Sequence, residues 1–300
     1  MKILLLGKSG QVGETLRSAL APLGQVVAWG REEAVFGEPA RLADSVAAQA
    51  ADVIVNAAAY TAVDKAESEP AAAFTINAEA VSALAAVVRR QGAWLVHYST
   101  DYVFDGRKTD AYTEDDAPNP LSVYGRSKLA GDDAIIASGC LHLIFRISWI
   151  YAAGHSNFPR AMLRLARERR GLDVVADQVG APTSAQLVAT VTAEAIARVM
   201  YDPAGRSLSG IYNLAPAGKT SRVDMVSFIV REASTLGSTL TLDPDAVRPV
   251  TTDRFPTPAA RPLNSELDTT KLRRTFAVDL PPWQDDMRGW VAREMAGGLS

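Results

Sequence analysis

The segment Ser122-Val-Tyr124-Gly-Arg-Ser-Lys128 sets a phenol and an amine four residues apart. On a helix, positions i and i+4 lie one above the other on the same face. A free phenol has a pKa of about 10, and a nearby ammonium stabilises the phenolate and lowers that value. Such a pair can deliver a proton to an oxygen. Upstream, an apolar run ends in Tyr98-Ser99-Thr100-Asp101. The Thr100 hydroxyl, with Ser99 as its rival, can hydrogen-bond a carbonyl oxygen and polarise it. Thr100, Tyr124 and Lys128 together suit the reduction of a ketone. Hydride goes to carbon, the Tyr124 proton goes to oxygen, and Lys128 also holds the ribose of the hydride carrier. A Y-x-x-x-K pair alone is common on exposed helices, so this reading depends on its surroundings.

A hydride carrier has its own signature. The first apolar run, Ile3–Leu6, leads straight into Gly7-Lys-Ser-Gly10-Gln11-Val12-Gly13. A glycine turn between strand and helix lets a pyrophosphate approach the backbone, where free N–H groups and the helix dipole receive it. The second run ends in Trp29-Gly30-Arg31. An acid at this point holds a ribose 2′-hydroxyl, whereas an arginine prefers a 2′-phosphate. Arg31 therefore favours NADPH. NADH stays possible because Glu32 and Glu33 follow at once. The third run ends in Asn56-Ala57-Ala58-Ala59-Tyr60-Thr61, whose small residues leave room for a ligand at a strand end.

These residues need a scaffold. Apolar runs at 3–6, 26–29, 53–57, 94–98 and 143–150 are rich in Val, Ile and Leu and do not alternate with polar residues. Strands buried on both faces read this way. Helical patterns at 12–20, 40–50, 71–90 and 122–137 separate them, so a parallel sheet with helices on both sides is expected. After residue 150 the rhythm loosens. Helices are expected at 158–169, 185–201, 222–235 and 283–295, and strands at 174–176 and 211–214. The expected fold is α/β: a Rossmann-like, doubly wound parallel sheet with a smaller C-terminal α+β substrate domain. Residues 1–150 form the dinucleotide domain, which also receives later segments such as 174–200. Residues 151–300 are mainly substrate-binding.

Composition narrows the class. The 300 residues are 48% apolar, enough for a large core, and the net charge of −3 gives no basic surplus for nucleic acid. The single Cys140 excludes an internal disulfide and a cysteine-based metal site. The first apolar run is too short for a signal peptide, and no run approaches the roughly 18 apolar residues of a membrane span. A cytoplasmic protein without membrane partners is expected.

Longer stretches carry a resemblance. The G-x-x-G-x-x-G spacing resembles the extended short-chain dehydrogenases/reductases. The segments VNAAAYTAVDKAESEP, HYSTDYVFDG, NPLSVYGRSKLAGD, VVADQVGAPTSA and RPLNSELDTTKL resemble the dTDP-4-dehydrorhamnose reductase family over nearly the whole chain. The resemblance implies reduction of the C4 ketone of dTDP-4-dehydro-L-rhamnose by NADPH or NADH. It implies a catalytic trio of Thr100, Tyr124 and Lys128, a pyrophosphate loop at Gly10, Gln11 and Val12, and a cofactor wall at Ala59, Tyr60 and Thr61. Asp101 and Trp149 match positions that contact the sugar nucleotide, and Asn157 and Arg261 are candidate phosphate or base contacts. Some relatives form dimers through a metal held by three glutamates. The matching positions here are Thr15, Gln186 and Glu294, with Glu14 turned about 100° away around a helix. No metal site and no metal-bridged dimer are therefore expected, leaving monomer or simple homodimer. Two rival readings are another nucleotide-sugar reductase or epimerase, and a non-catalytic dinucleotide-binding regulatory subunit like that of methionine adenosyltransferase. The intact Thr100, Tyr124 and Lys128 count against the latter.

Overall fold

A computed structural model describes residues 1–296. Six strands form one parallel sheet: β1 (Lys2–Leu6), β2 (Gln25–Trp29), β3 (Val53–Asn56), β4 (Trp94–Thr100), β5 (Leu141–Ile147) and β6 (Gly210–Leu214). Their spatial order is β6-β5-β4-β3-β1-β2. The strands are continuous apolar runs because both faces are covered. Ile3, Leu5, Val53 and Val55 pack on one side beneath helices Gln11–Leu20 and Ala185–Tyr201. Leu4, Leu6 and Ile54 pack on the other beneath helices Pro39–Ala47 and Ala80–Gln91. The strand order reverses between β1 and β3, the strands staying parallel, which opens a crevice above their C-terminal ends.

The sheet is the expected Rossmann-like one, and the later chain completes it. β6 pairs with β5 in register, Ile211 opposite Ile144. Of residues 174–200, only the helix from Ala185 packs on this sheet. Leu172–Val175 instead pairs with Val247–Val250 in a separate two-stranded sheet. A second apolar cluster, including Tyr151, Leu163, Met225, Ile229, Trp283 and Trp290, is buried among helices Phe158–Glu168, Arg222–Thr235 and Trp283–Ala296.

Two local expectations need correction. β5 stops at Ile147 rather than running to residue 150. Trp149 adopts a left-handed φ of 48°, which a strand cannot contain. The helical run Pro70–Gln91 is long and apolar enough to span a membrane, with a mean hydropathy of 1.6. Alanines supply much of that value. In the fold Val81, Leu84, Ala85, Val87 and Val88 are fully or almost fully buried against the sheet side, as in a core helix.

Candidate active site

The glycines of the first turn serve different ends. Gly7 has φ 89°, and a Cβ there would lie 2.8 Å from the Ala57 carbonyl carbon. A Cβ on Gly13 would lie 2.0 Å from the Gly7 carbonyl oxygen, so the helix can approach the strand only without a side chain. Gly10 differs. Its φ of −84° suits any residue, and a Cβ would meet only the Gly7 oxygen, at an ordinary 3.5 Å. Packing does not require a glycine at this position, at the start of helix Gln11–Leu20, whereas close approach of a phosphate does. At the end of β2, Arg31 is exposed. Glu33 turns back to accept from the Gly30 N–H (2.7 Å) and the Lys8 ammonium (2.6 Å). Those two partners hold its carboxyl below the ordinary value, Lys8 first.

Ala57, Ala58, Ala59, Tyr60 and Thr61 follow β3 as an extended wall across the crevice, and all five are at least partly exposed. Asn77 fixes this wall. Its Oδ1 accepts from the Tyr60 N–H at 2.8 Å, and its Nδ2 donates to the Tyr60 carbonyl and to Ser127 Oγ. Asn77 lies on a π-helical turn, Thr75–Glu79, which bulges the long helix toward the wall. Ser127 belongs to the helix Val123–Ser138, so one buried amide ties the wall to the helix that carries Tyr124.

That helix starts at Ser122, whose hydroxyl accepts from the Gly125 N–H at 3.1 Å. Gly125 sits against the chain after β4, where a Cβ would lie 2.3 Å from the Tyr102 carbonyl oxygen. This approach brings Tyr124 beside Thr100. The Tyr102 and Tyr124 rings meet edge-on at 5.6 Å. Tyr124 keeps part of its surface open, yet its surroundings push the phenol above its ordinary value. Burial is the main cause, Thr100 opposes it by hydrogen bonding, and Asp101, Tyr102 and Asp132 add to the rise. Lys128 meets β4 instead of the phenol. Its amine is turned into the fold, 3.1 Å from His97 Nε2, and burial lowers it to about 8. The phenol therefore stands above its ordinary value, where the sequence leads one to expect a lowered one, and burial is the cause.

Asp101 is 3% exposed. Its Oδ1 accepts from the Thr100 hydroxyl at 3.1 Å, while Oδ2 has no partner. Burial raises it to about 6, opposed by the neighbouring Ser265 and Thr100 hydroxyls and the Arg222 charge. A buried carboxylate oxygen without a hydrogen-bond partner suits a ligand hydroxyl as its donor. Trp149 stands nearby in its left-handed conformation, over Gly180, where a Cβ would lie 2.8 Å from the indole. A bulky residue held at positive φ marks a position imposed by its surroundings. Sequence reading missed Arg222, the first residue of helix Arg222–Thr235. Its guanidinium lies 3.6 Å from the Trp149 ring centre and 4.8 Å from that of Phe158. Burial lowers it to about 10, and among the described residues its side chain has no ion-pair partner. An arginine opening a helix carries no sequence signal that sets it apart.

Asn157 and Arg261 are engaged within the protein. Asn157 caps helix Phe158–Glu168, and its Nδ2 donates to Ala152 O (2.7 Å), His155 O (3.1 Å) and Gln11 Oε1 (3.2 Å). Arg261 pairs with Asp64 at 2.8 Å. At the three positions matching the metal-bridging glutamates, Thr15 Oγ1 donates to the Gln11 carbonyl and Gln186 Nε2 to Thr190. Glu294 accepts from the Gly154 N–H and pairs with Arg160.

A family profile described as "RmlD substrate binding domain" matches residues 1–295. The chain is 47% identical to the dTDP-4-dehydrorhamnose reductase of Escherichia coli K12 over 288 residues, 95% of each chain. It is also 47% identical to the Burkholderia thailandensis enzyme of that name, over 95% of this chain and 96% of the other. A crystal structure of a dTDP-4-dehydrorhamnose reductase from Clostridium acetobutylicum superposes with a TM-score of 0.89 at 31% identity, covering 98% of this chain and 100% of that one. One from Bacillus anthracis, in complex with NADP, superposes with a TM-score of 0.86 at 30% identity, covering 97% and 99%. The chain belongs to the dTDP-4-dehydrorhamnose reductase family.

Proposed function

We propose that the chain reduces the C4 ketone of dTDP-4-dehydro-L-rhamnose to dTDP-L-rhamnose, with NADPH as reductant and Tyr124 as proton donor. The observation that carries this reading is the meeting of Thr100 and Tyr124 beside the partnerless Asp101 oxygen, on the crevice that Gly10 leaves open. NADPH bound there supplies the hydride. Gly10, Gln11 and Val12 take its pyrophosphate at the helix N-terminus, Ala57–Thr61 form its wall, and Lys128, on leaving His97, holds its ribose. Thr100 hydrogen-bonds the ketone oxygen, and Tyr124 protonates that oxygen as hydride reaches the carbon. Asp101 accepts from a sugar hydroxyl, and the Trp149 face covers the apolar methyl side of the sugar. Arg222 and Arg261 supply cations for the diphosphate, Arg261 by leaving Asp64. The first 150 residues with β6 and helix Ala185–Tyr201 serve the dinucleotide, and the remaining later segments serve the nucleotide sugar. The purified protein is expected to oxidise NADPH only when given the dTDP-ketosugar. Equal turnover of GDP- or UDP-ketosugars would contradict the substrate assignment.

Two variants separate the ligands. Arg31→Ser is expected to raise KM for NADPH about tenfold and leave KM for NADH unchanged, the loss of one exposed charge contact of ~1.4 kcal/mol. Arg222→Gln is expected to raise KM for the nucleotide sugar by about 10- to 100-fold, with NADPH binding unaltered. Steady-state kinetics with each substrate varied in turn read both. A rise in KM for NADPH in Arg222→Gln would place that arginine on the wrong ligand.

A further inference from the structure

Asn56, His97, Ser99, Lys128 and Asp132 form a buried polar cluster between β3, β4 and the Tyr124 helix, each at most 3% exposed. The reaction above gives a task to Lys128 and none to His97 or Asp132. The Ala58 N–H donates to Asn56 Oδ1 at 3.2 Å, so the amide NH2 of Asn56 faces His97 Nδ1, at 3.1 Å. Nδ1 therefore accepts, and the neutral ring carries its proton on Nε2. Nε2 lies 3.1 Å from Lys128 Nζ and 3.9 Å from Asp132 Oδ1. An N–H aimed at an ammonium sets donor against donor; aimed at a neutral amine it makes a hydrogen bond.

Asp132 acts in the opposite sense. It lies one turn beyond Lys128 on the same helix, and its charge favours the ammonium. Its Oδ2 accepts from Ser99 Oγ at 2.5 Å, and its Oδ1 has no partner. Burial raises its carboxyl to about 6, opposed by Lys128, Ser99 and Arg146 of β5, while Asp133 adds to the rise. Burial, and then the Lys128 charge, holds His97 well below its ordinary value. The ring stays neutral, and its tautomer is what Lys128 meets.

We propose that His97 and Asp132 are positioning residues that set the protonation state of Lys128 from opposite sides, the ring N–H favouring the neutral amine and the carboxylate the ammonium. Tyr124 must regain each proton it gives, and an amine balanced near neutrality is suited to pass one on. The role in turnover rests on the reductase reading; the balance itself does not.

The test uses the whole protein in two measurements. In ligand-free protein with 13C-labelled lysine, the Lys128 ε-carbon resonance is assigned by its loss in Lys128→Met and titrated by NMR. Its midpoint is expected to fall in Asp132→Asn and to rise in His97→Gln, whose amide oxygen accepts from the ammonium. The alkaline limb of kcat/KM is expected to move in the same two directions by about one pH unit, a tenfold change in rate on the limb. Shifts of one sign in both variants overturn the proposal. So do limbs that stay in place while kcat falls at every pH, which is what a merely structural role produces. Where Asp132→Asn does not fold, Ser99→Ala removes the donor that keeps Asp132 ionised and gives a smaller downward shift. In the unmodified protein, 15N shifts of the His97 ring are expected to show the proton on Nε2, and a proton on Nδ1 overturns the proposal. NMR midpoints that move as expected in a protein that turns over no dTDP-ketosugar would leave this proposal standing and remove the reductase reading.

Discussion

Tyr124→Phe is expected to lower kcat for the dTDP-ketosugar by about 100- to 10,000-fold, the range that a positioned general acid contributes, while NADPH binding is retained. The variant loses one hydroxyl. Thr100 keeps its bond to Asp101, so the fold should change by no more than about 1 kcal/mol. The direction of the phenol shift bears on pH dependence. Burial raises the phenol above its ordinary value, so its acidic form, the one that donates, persists through the neutral and alkaline range. Lys128 is lowered to about 8, so its ammonium is full below that pH and lost as pH rises through it. Reduction should therefore lose rate above about pH 8 through Lys128, with no separate alkaline loss from Tyr124. Stopped-flow and steady-state rates from pH 6 to 10, with NADPH fluorescence titrations, read both. Turnover undiminished in the phenylalanine variant would leave the reaction without its proton donor.

Much of this arrangement is legible in the sequence because it is local. The strands are short runs buried on both faces, and Gly7, Gly10 and Gly13 mark the turn by position alone. The i, i+4 spacing of Tyr124 and Lys128 puts them on one face of a single helix. What sequence does not show is how those side chains divide their contacts. Lys128 reads as a partner of the phenol, yet a histidine from β4 meets its amine. His97 lies inside an apolar strand and reads as core. Asn77 ties the cofactor wall to the catalytic helix from a π turn that helical periodicity does not reveal. Strand pairing is likewise non-local. The run 211–214 reads as a strand, but only the fold shows that it extends the sheet at β5. Asn157 and Arg261 show the limit in the other direction. Their donor groups suit phosphates, and the structure already engages those groups with Gln11 and Asp64.

The glycine loop allows a sharp separation of packing from binding, because its glycines answer to different neighbours. Gly13→Ala puts a methyl 2.0 Å from the Gly7 carbonyl oxygen and 3.3 Å from the Lys8 Cα, both backbone atoms that cannot swing aside. The helix must move off β1, at a cost of ~1–3 kcal/mol or more; the better helix propensity of alanine returns at most ~1 kcal/mol. Thermal or urea unfolding should show that loss with no ligand present. Gly10→Ala meets no such wall. Its φ of −84° and ψ of 164° suit alanine, and the new Cβ contacts only the Gly7 oxygen at 3.5 Å. The folded protein should be as stable as the original. The methyl would instead stand where a pyrophosphate has to reach the N–H groups of the helix, so NADPH should bind about 100-fold more weakly, or ~2.7 kcal/mol. Unfolding curves and NADPH titrations on the two variants therefore give opposite patterns. If Gly10→Ala binds NADPH as tightly as the unaltered chain, the open space above this turn does not hold the pyrophosphate, and the cofactor must enter the crevice by another route.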